Sequence, residues 1–150
     1  MWRFLTQTGE YALRAAIQIA SQPPGRRLSA GEMARSLSVP EKYLGRVLSV
    51  LAREGVLESV RGVNGGFRLA RPAAEVSLAE VVTPFETVLE RPQCLTRPGP
   101  CDPAQPCAAH APWEVPRGQV AEFFRATTLA ALVGAPPVRE RVAAGMPAPS

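Results

Sequence analysis

Apolar positions along this chain recur at helical spacing in several stretches and alternate in one. Leu13, Ile17 and Ala20, with Ala12, Ala16 and Ile19 beside them, mark one face of a helix from about Thr8 to Ser21. Pro23-Pro24-Gly25 ends it. The next three helix starts share one signature, Ser-x-x-Glu, at Ser29–Glu32, Ser38–Glu41 and Ser77–Glu80. In such a capping box the serine oxygen accepts from the N–H three residues on, and the glutamate accepts from the serine N–H. Each match opens an apolar-periodic segment, which predicts helices over about 29–37, 39–54 and 77–86. Leu44, Val47, Leu48 and Leu51 give the third helix a core stripe, and Gly55 is placed to cap its end.

Only a tight turn around Ser38 separates the second and third helices. So short a connection makes them cross steeply, as in a helix-turn-helix. Val56–Val60 then alternates as a strand and Phe67–Ala70 returns as its partner. Asn64-Gly65 between them is a hairpin signal. A helix-turn-helix followed directly by a basic hairpin is a winged helix. Beyond Glu86 the pattern weakens into a loop. A longer helix is expected from near Trp113, with Pro116 in its first turn, where proline is tolerated. Thr127–Gly134 predicts a second short helix with a threonine cap.

The fold class expected is therefore mainly α with a small β-hairpin wing. Residues 1–75 form the winged helix-turn-helix, residues 76–133 a loop followed by helices, and residues 134–150 a mostly disordered tail. At 150 residues with 46% hydrophobic residues, the chain can bury a core. No apolar run approaches the roughly 18 residues of a membrane span. The first twenty residues do not read as a signal peptide, because Gly9 and Glu10 interrupt them. A cytoplasmic protein is the expectation.

Charge separates the two halves. Residues 1–75 carry eleven Lys/Arg against six Asp/Glu, a net +5; residues 76–150 carry six against seven, a net −1. The basic half is the one suited to a polyanion. On the third helix Lys42, Arg46, Ser49 and Arg53 lie opposite the core stripe, and Arg61, Arg68 and Arg71 flank the wing. The major groove of DNA admits one helix, and phosphates on either side reward positive charge. Lys42, Tyr43 and Arg46 sit near the helix start, the part that reaches base edges; Ser49 follows one turn on. Arg61 suits a narrow minor groove, and Gly65 and Gly66 suit close approach of the wing backbone to the sugar-phosphate.

The loop collects the remaining chemistry. Cys94, Cys101 and Cys107 are all the cysteines of the chain, and His110 is its one histidine. The spacing Cys-x6-Cys-x5-Cys-x2-His is ligand spacing among residues that cannot build a core helix. Thiolates suit iron–sulfur clusters, zinc or copper. Spacers of five and six residues exceed the two to four of compact zinc knuckles, and a cluster tolerates wider separations than one ion. A zinc Cys3His site and three unligated thiols are the alternatives. An odd cysteine count argues against a disulfide framework.

The stretches LTQTGEYALRAA, VPEKYLGRVLSVLAREGVLESVRGVNGGFRLARP, SLAEVV, CAAHAPW and TTLAALV together resemble the IscR/NsrR/CymR type of bacterial winged-helix regulators, the Rrf2 family. The resemblance covers most of residues 5–133. It implies a homodimer on near-palindromic double-stranded DNA, with long C-terminal dimerisation helices crossing between protomers. It also implies that the three cysteines are cluster ligands, although relatives commonly have five residues in the first gap. His110 matches the fourth ligand of IscR-like proteins with a 2Fe–2S cluster. Glu10 matches the helix-one carboxylate that NsrR-like proteins donate from the other protomer to a 4Fe–4S cluster. His110 with 2Fe–2S is the preferred reading and Glu10 with 4Fe–4S the alternative. Gly45 stands where IscR-type proteins often carry an acid. A clusterless or zinc regulator, or an electron-transfer or carrier protein, are the rival functions. No nucleophile motif or phosphate-binding glycine loop points to an enzyme.

Overall fold

The computed structural model describes residues 4–87, 89 and 93–134. The expected tail therefore lies, apart from Gly134, outside the described residues. The chain runs α1 (Gln7–Ala20), α2 (Ala30–Leu37), α3 (Glu41–Arg53), β1 (Leu57–Val60), β2 (Gly66–Leu69), α4 (Leu78–Val82), α5 (His110–Ala126) and α6 (Leu129–Leu132). A single 3-10 turn, Ala73–Glu75, precedes α4.

The core forms around α1. Its fully buried residues are Ala12, Ala15 and Ala16, with Ile19 and Gly9 close to it in burial. Leu13, Ile17 and Ala20, the stripe expected from periodicity, are half-buried and pack at the rim. The reason is crowding: α2, α3, α4, α6 and β2 all contact α1, and the alanine face lets them approach most closely. From α3, Leu44, Val47, Leu48 and Leu51 all enter the core as predicted.

Two of the three capping boxes form. Ser29 accepts from the Glu32 N–H at 3.1 Å while Glu32 accepts from the Ser29 N–H at 2.7 Å. Those bonds to Ser29 hold the Glu32 carboxyl below the usual carboxylate range. Ser77 and Glu80 repeat the arrangement at the start of α4. Ser38 does not. It adopts φ 55 and ends α2, so that the Val39 N–H reaches Ala34 O at 3.0 Å and the Ser38 N–H reaches Arg35 O at 3.3 Å. This is a Schellman-type stop. A residue in the left-handed region cannot also serve as the extended N-cap of the next helix. Pro40 takes that place with no side-chain cap, and α3 begins at Glu41, whose carboxylate lies over Gly31 instead.

The wing pairs Leu57 with Leu69 and Val60 with Gly66, antiparallel. Its turn is a five-residue loop; Gly62 within it and Gly66 at the start of β2, not Asn64 or Gly65, take positive φ. Leu28 adds a bridge to Phe67 from the other side. Gly66 is needed for that bridge: at φ 140, a Cβ here would lie 2.7 Å from the Leu28 carbonyl oxygen. Gly55 ends α3 at φ 78, with the Val56 N–H on Leu51 O, as its capping role requires.

Three expectations are corrected beyond the wing. Helix α4 stops at Val82 rather than 86, and Thr83–Phe85 continue as turns. Helix α5 starts three residues earlier than Trp113, where the His110 N–H donates to Cys107 O at 2.9 Å. Pro116 consequently sits past the first turn, where it removes one ladder bond. Thr128 makes no cap bond to α6; it bridges Ser77 instead, so the chain end is stitched to the start of α4. No described helix is long and apolar enough to cross a membrane.

The left-handed Ser38 gives a discriminating prediction. Ser38→Gly is expected to stabilise the protein by about 0.5–1 kcal/mol, because glycine adopts this conformation without a Cβ penalty. Replacing a true N-cap serine by glycine would instead destabilise by about a few tenths of a kcal/mol. Gly66→Ala is expected to destabilise by about 1–3 kcal/mol. Urea unfolding midpoints check both.

Candidate metal centre and nucleic-acid interface

The cysteine loop is folded on itself by backbone bonds. Gln93 bridges Pro100, and the Cys94 N–H donates to Gly99 O at 2.9 Å. Asp102 turns the next segment by accepting from the Ala104 N–H at 2.9 Å, and Arg97 spans the loop to Gln105 O at 2.7 Å. These contacts bring the four soft donors together as two pairs. Cys94 Sγ lies 3.7 Å from Cys107 Sγ, and Cys101 Sγ lies 2.9 Å from His110 Nδ1. All three cysteines are free and half-buried. The Thr96 hydroxyl and backbone N–H, then Cys107 and Arg97, hold the Cys94 thiol at about 6, well below the ordinary thiol value. A thiol so placed is largely thiolate, the ligating form.

The donor set is three sulfurs and one imidazole nitrogen on an irregular backbone, and it fits a cluster. Among the described residues, no three or more His, Cys, Asp or Glu side chains converge as a site for one metal ion. His110 is the first residue of α5, so the loop ends rigidly on that helix. Glu10 pairs with Arg14 one turn along α1.

Lys42, Arg46, Ser49 and Arg53 are exposed on α3, and Arg61 is exposed at the wing. Of the other wing arginines, Arg68 pairs with Glu58 and Arg71 with Glu80. Among the described residues Lys42, Arg46, Arg53 and Arg61 have no such partner, which leaves four uncompensated cations along α3 and the wing. The structure gives other predicted residues internal tasks. Tyr43 shares a hydrogen bond with the Thr8 hydroxyl at 2.6 Å and packs edge-on against Tyr11. Ser49 donates to Gly45 O at 2.8 Å. Gly65 donates to Gly62 O, and a Cβ on it would overlap the Val60 carbonyl oxygen.

One functional element escaped sequence reasoning. Thr6 is the N-cap of α1, accepting from the Gly9 N–H at 3.1 Å, and it is held in turn by Glu86. Thr6 two residues before the expected helix start was the available sign. Its partner 80 residues away carried none.

Comparison with known proteins agrees with this architecture. Residues 5–135 match the Rrf2 family, described as iron-dependent transcriptional regulator. A protein of Aquifex aeolicus named "Putative HTH-type transcriptional regulator" is 30% identical over 130 residues, covering 85% of this chain and 90% of its own. CymR (YrzC), the global cysteine regulator of B. subtilis, superposes with a TM-score of 0.72 at 24% identity, covering 88% of this chain and 96% of its own. IscR of T. potens gives 0.68 at 21%, covering 97% and 93%. At these identities the two structures speak for the fold, a winged helix with a helical C-terminal part. The relatives are named as regulators and not as enzymes, and by the extent of the family match the chain belongs to the Rrf2 family of transcriptional regulators.

Proposed function

We propose that this protein is a DNA-binding regulator whose operator affinity is set by an iron–sulfur cluster on Cys94, Cys101, Cys107 and His110, sensing redox state, nitric oxide or iron–sulfur status. The observation that carries the reading is the sorting of four soft donors into two close pairs. A two-iron core takes two protein ligands on each iron, which is the demand this pairing matches. A single zinc ion needs all four on one point. When bound, the cluster supplies a redox- and ligand-sensitive brace, and the imidazole makes one iron easier to attack than a thiolate would.

The chain's own residues do the rest. Lys42, Arg46 and Arg61 neutralise phosphates or reach base edges, with α3 in the major groove and the wing beside it. Tyr43 holds the start of α3 against α1, while its ring stays near the groove-facing turn. Ser49 offers a hydroxyl on the same face. Gly65 and Gly66 keep the wing turn narrow. Two copies acting as a homodimer read the two halves of a near-palindromic operator in the cytoplasm. The proposed dimer surface is α5, of which only Phe124 is buried while Val115 and Phe123 are 66% and 53% exposed.

Anaerobic purification should yield coloured protein with about two iron and two acid-labile sulfide per chain. Cys94→Ser, Cys101→Ser and Cys107→Ser should each abolish it. Colourless protein without sulfide, from cells competent in cluster assembly, would contradict the cluster. Separately, Arg46→Ala is expected to weaken operator binding by about 1–3 kcal/mol, and Arg61→Ala to lower the salt dependence by about one phosphate contact. Gel-shift titrations at two salt concentrations measure both.

A further inference from the structure

Glu86 is the one charged side chain buried among the described residues, 5% exposed, and the regulatory reading leaves it unused. It stands where the chain leaves the α4 region for the cysteine loop. Its Oε1 accepts from both the Thr6 N–H at 2.6 Å and the Thr6 hydroxyl at 2.7 Å. Gly9 makes room for it: a methyl group there would overlap Oε1. Two residues beyond Thr6, Thr8 shares its 2.6 Å hydrogen bond with Tyr43. Tyr43 belongs to the first turn of α3, between Lys42 and Arg46.

Two long-range bonds, spanning 80 and 35 residues, thus converge on one helical turn. That turn is closed internally, with Gly9 N–H on Thr6 Oγ1 and Glu10 N–H on Thr6 O at 3.0 Å. Glu86 reaches this turn at Thr6 and Tyr43 reaches it at Thr8, so both are bonded to the same turn.

We infer that the first turn of α1 is the mechanical link between the cysteine loop and the groove-reading helix, with Glu86 and Thr8 as its positioning residues. The inference rests on the cluster-sensing reading and adds the route by which the loop reaches α3. Neither residue is among the proposed cluster ligands or the proposed DNA-contacting residues. Energetic coupling distinguishes a link from adjacency, so coupling is what the test reads.

The test uses full-length protein, cluster-loaded or metal-free, and a duplex selected from a random library by the loaded wild type. The quantity read is the ratio of the two affinities. In the wild type a ratio of about tenfold or more is expected. Thr8→Val and Glu86→Met, which remove the hydroxyl and the acceptor, should each bring it below about threefold with iron content unchanged, and the double variant should do no more than either alone. Thr8→Ser, which keeps the hydroxyl, should restore the wild-type ratio, and thermal unfolding separates lost coupling from lost fold. A wild-type ratio retained in Thr8→Val would overturn this inference alone, as would single-variant losses that multiply in the double variant. Equal affinities of loaded and metal-free wild type would overturn the sensing reading and the link together.

Discussion

Everything in this molecule is hung on a helix face made of alanine. Ala12, Ala15 and Ala16 are fully buried, and their small side chains let four helices and a strand close on α1 at once. Bulk on that face would push apart elements that are far separated in sequence, and such overpacking is itself destabilising. The same economy of space continues to the helix start, where Gly9 admits the Glu86 carboxylate. The hydrogen bonds that position α3 and the start of the cysteine loop both depend on this close approach.

Local signals were legible and their competition was not. The boxes at Ser29 and Ser77 form because nothing else claims those serines. Ser38 carries the same pattern, but three residues must both stop α2 and start α3. The stop wins, since the left-handed turn satisfies two backbone N–H groups at the helix end. The hydrophobic stripe of α3 was readable because that helix is covered on one side only. Helix α1 is surrounded, so its most buried face is set by packing partners rather than by its largest residues. Asn64-Gly65 signalled a hairpin correctly, but a five-residue loop shifted the strained positions to Gly62 and Gly66.

For the candidate site, composition and spacing pointed to four side chains, and the folding of the loop decided which of them lie together. Nothing in Cys-x6-Cys-x5-Cys-x2-His says that Cys94 meets Cys107 and Cys101 meets His110; that follows from the Gln93–Pro100 bridge and the Asp102 turn. The exposed cations on α3 and the wing were read directly from helical and hairpin geometry. Tyr43 and the wing glycines were read as ligand-facing, whereas each is also engaged within the protein. A side chain's exposed face is visible in sequence; the bond it makes to another element is not.

The bridge from Leu28 to Phe67 fastens the wing to the residue just before the Ser29 cap of α2. Hairpin and helix-turn-helix therefore behave as one rigid caliper, with a fixed gap between Arg61 and the α3 cations. A caliper of fixed gap does not adjust its own bite. If two copies read one operator, as proposed, the distance and twist between the two instruments, and with them the spacer length in the DNA, contribute to selectivity.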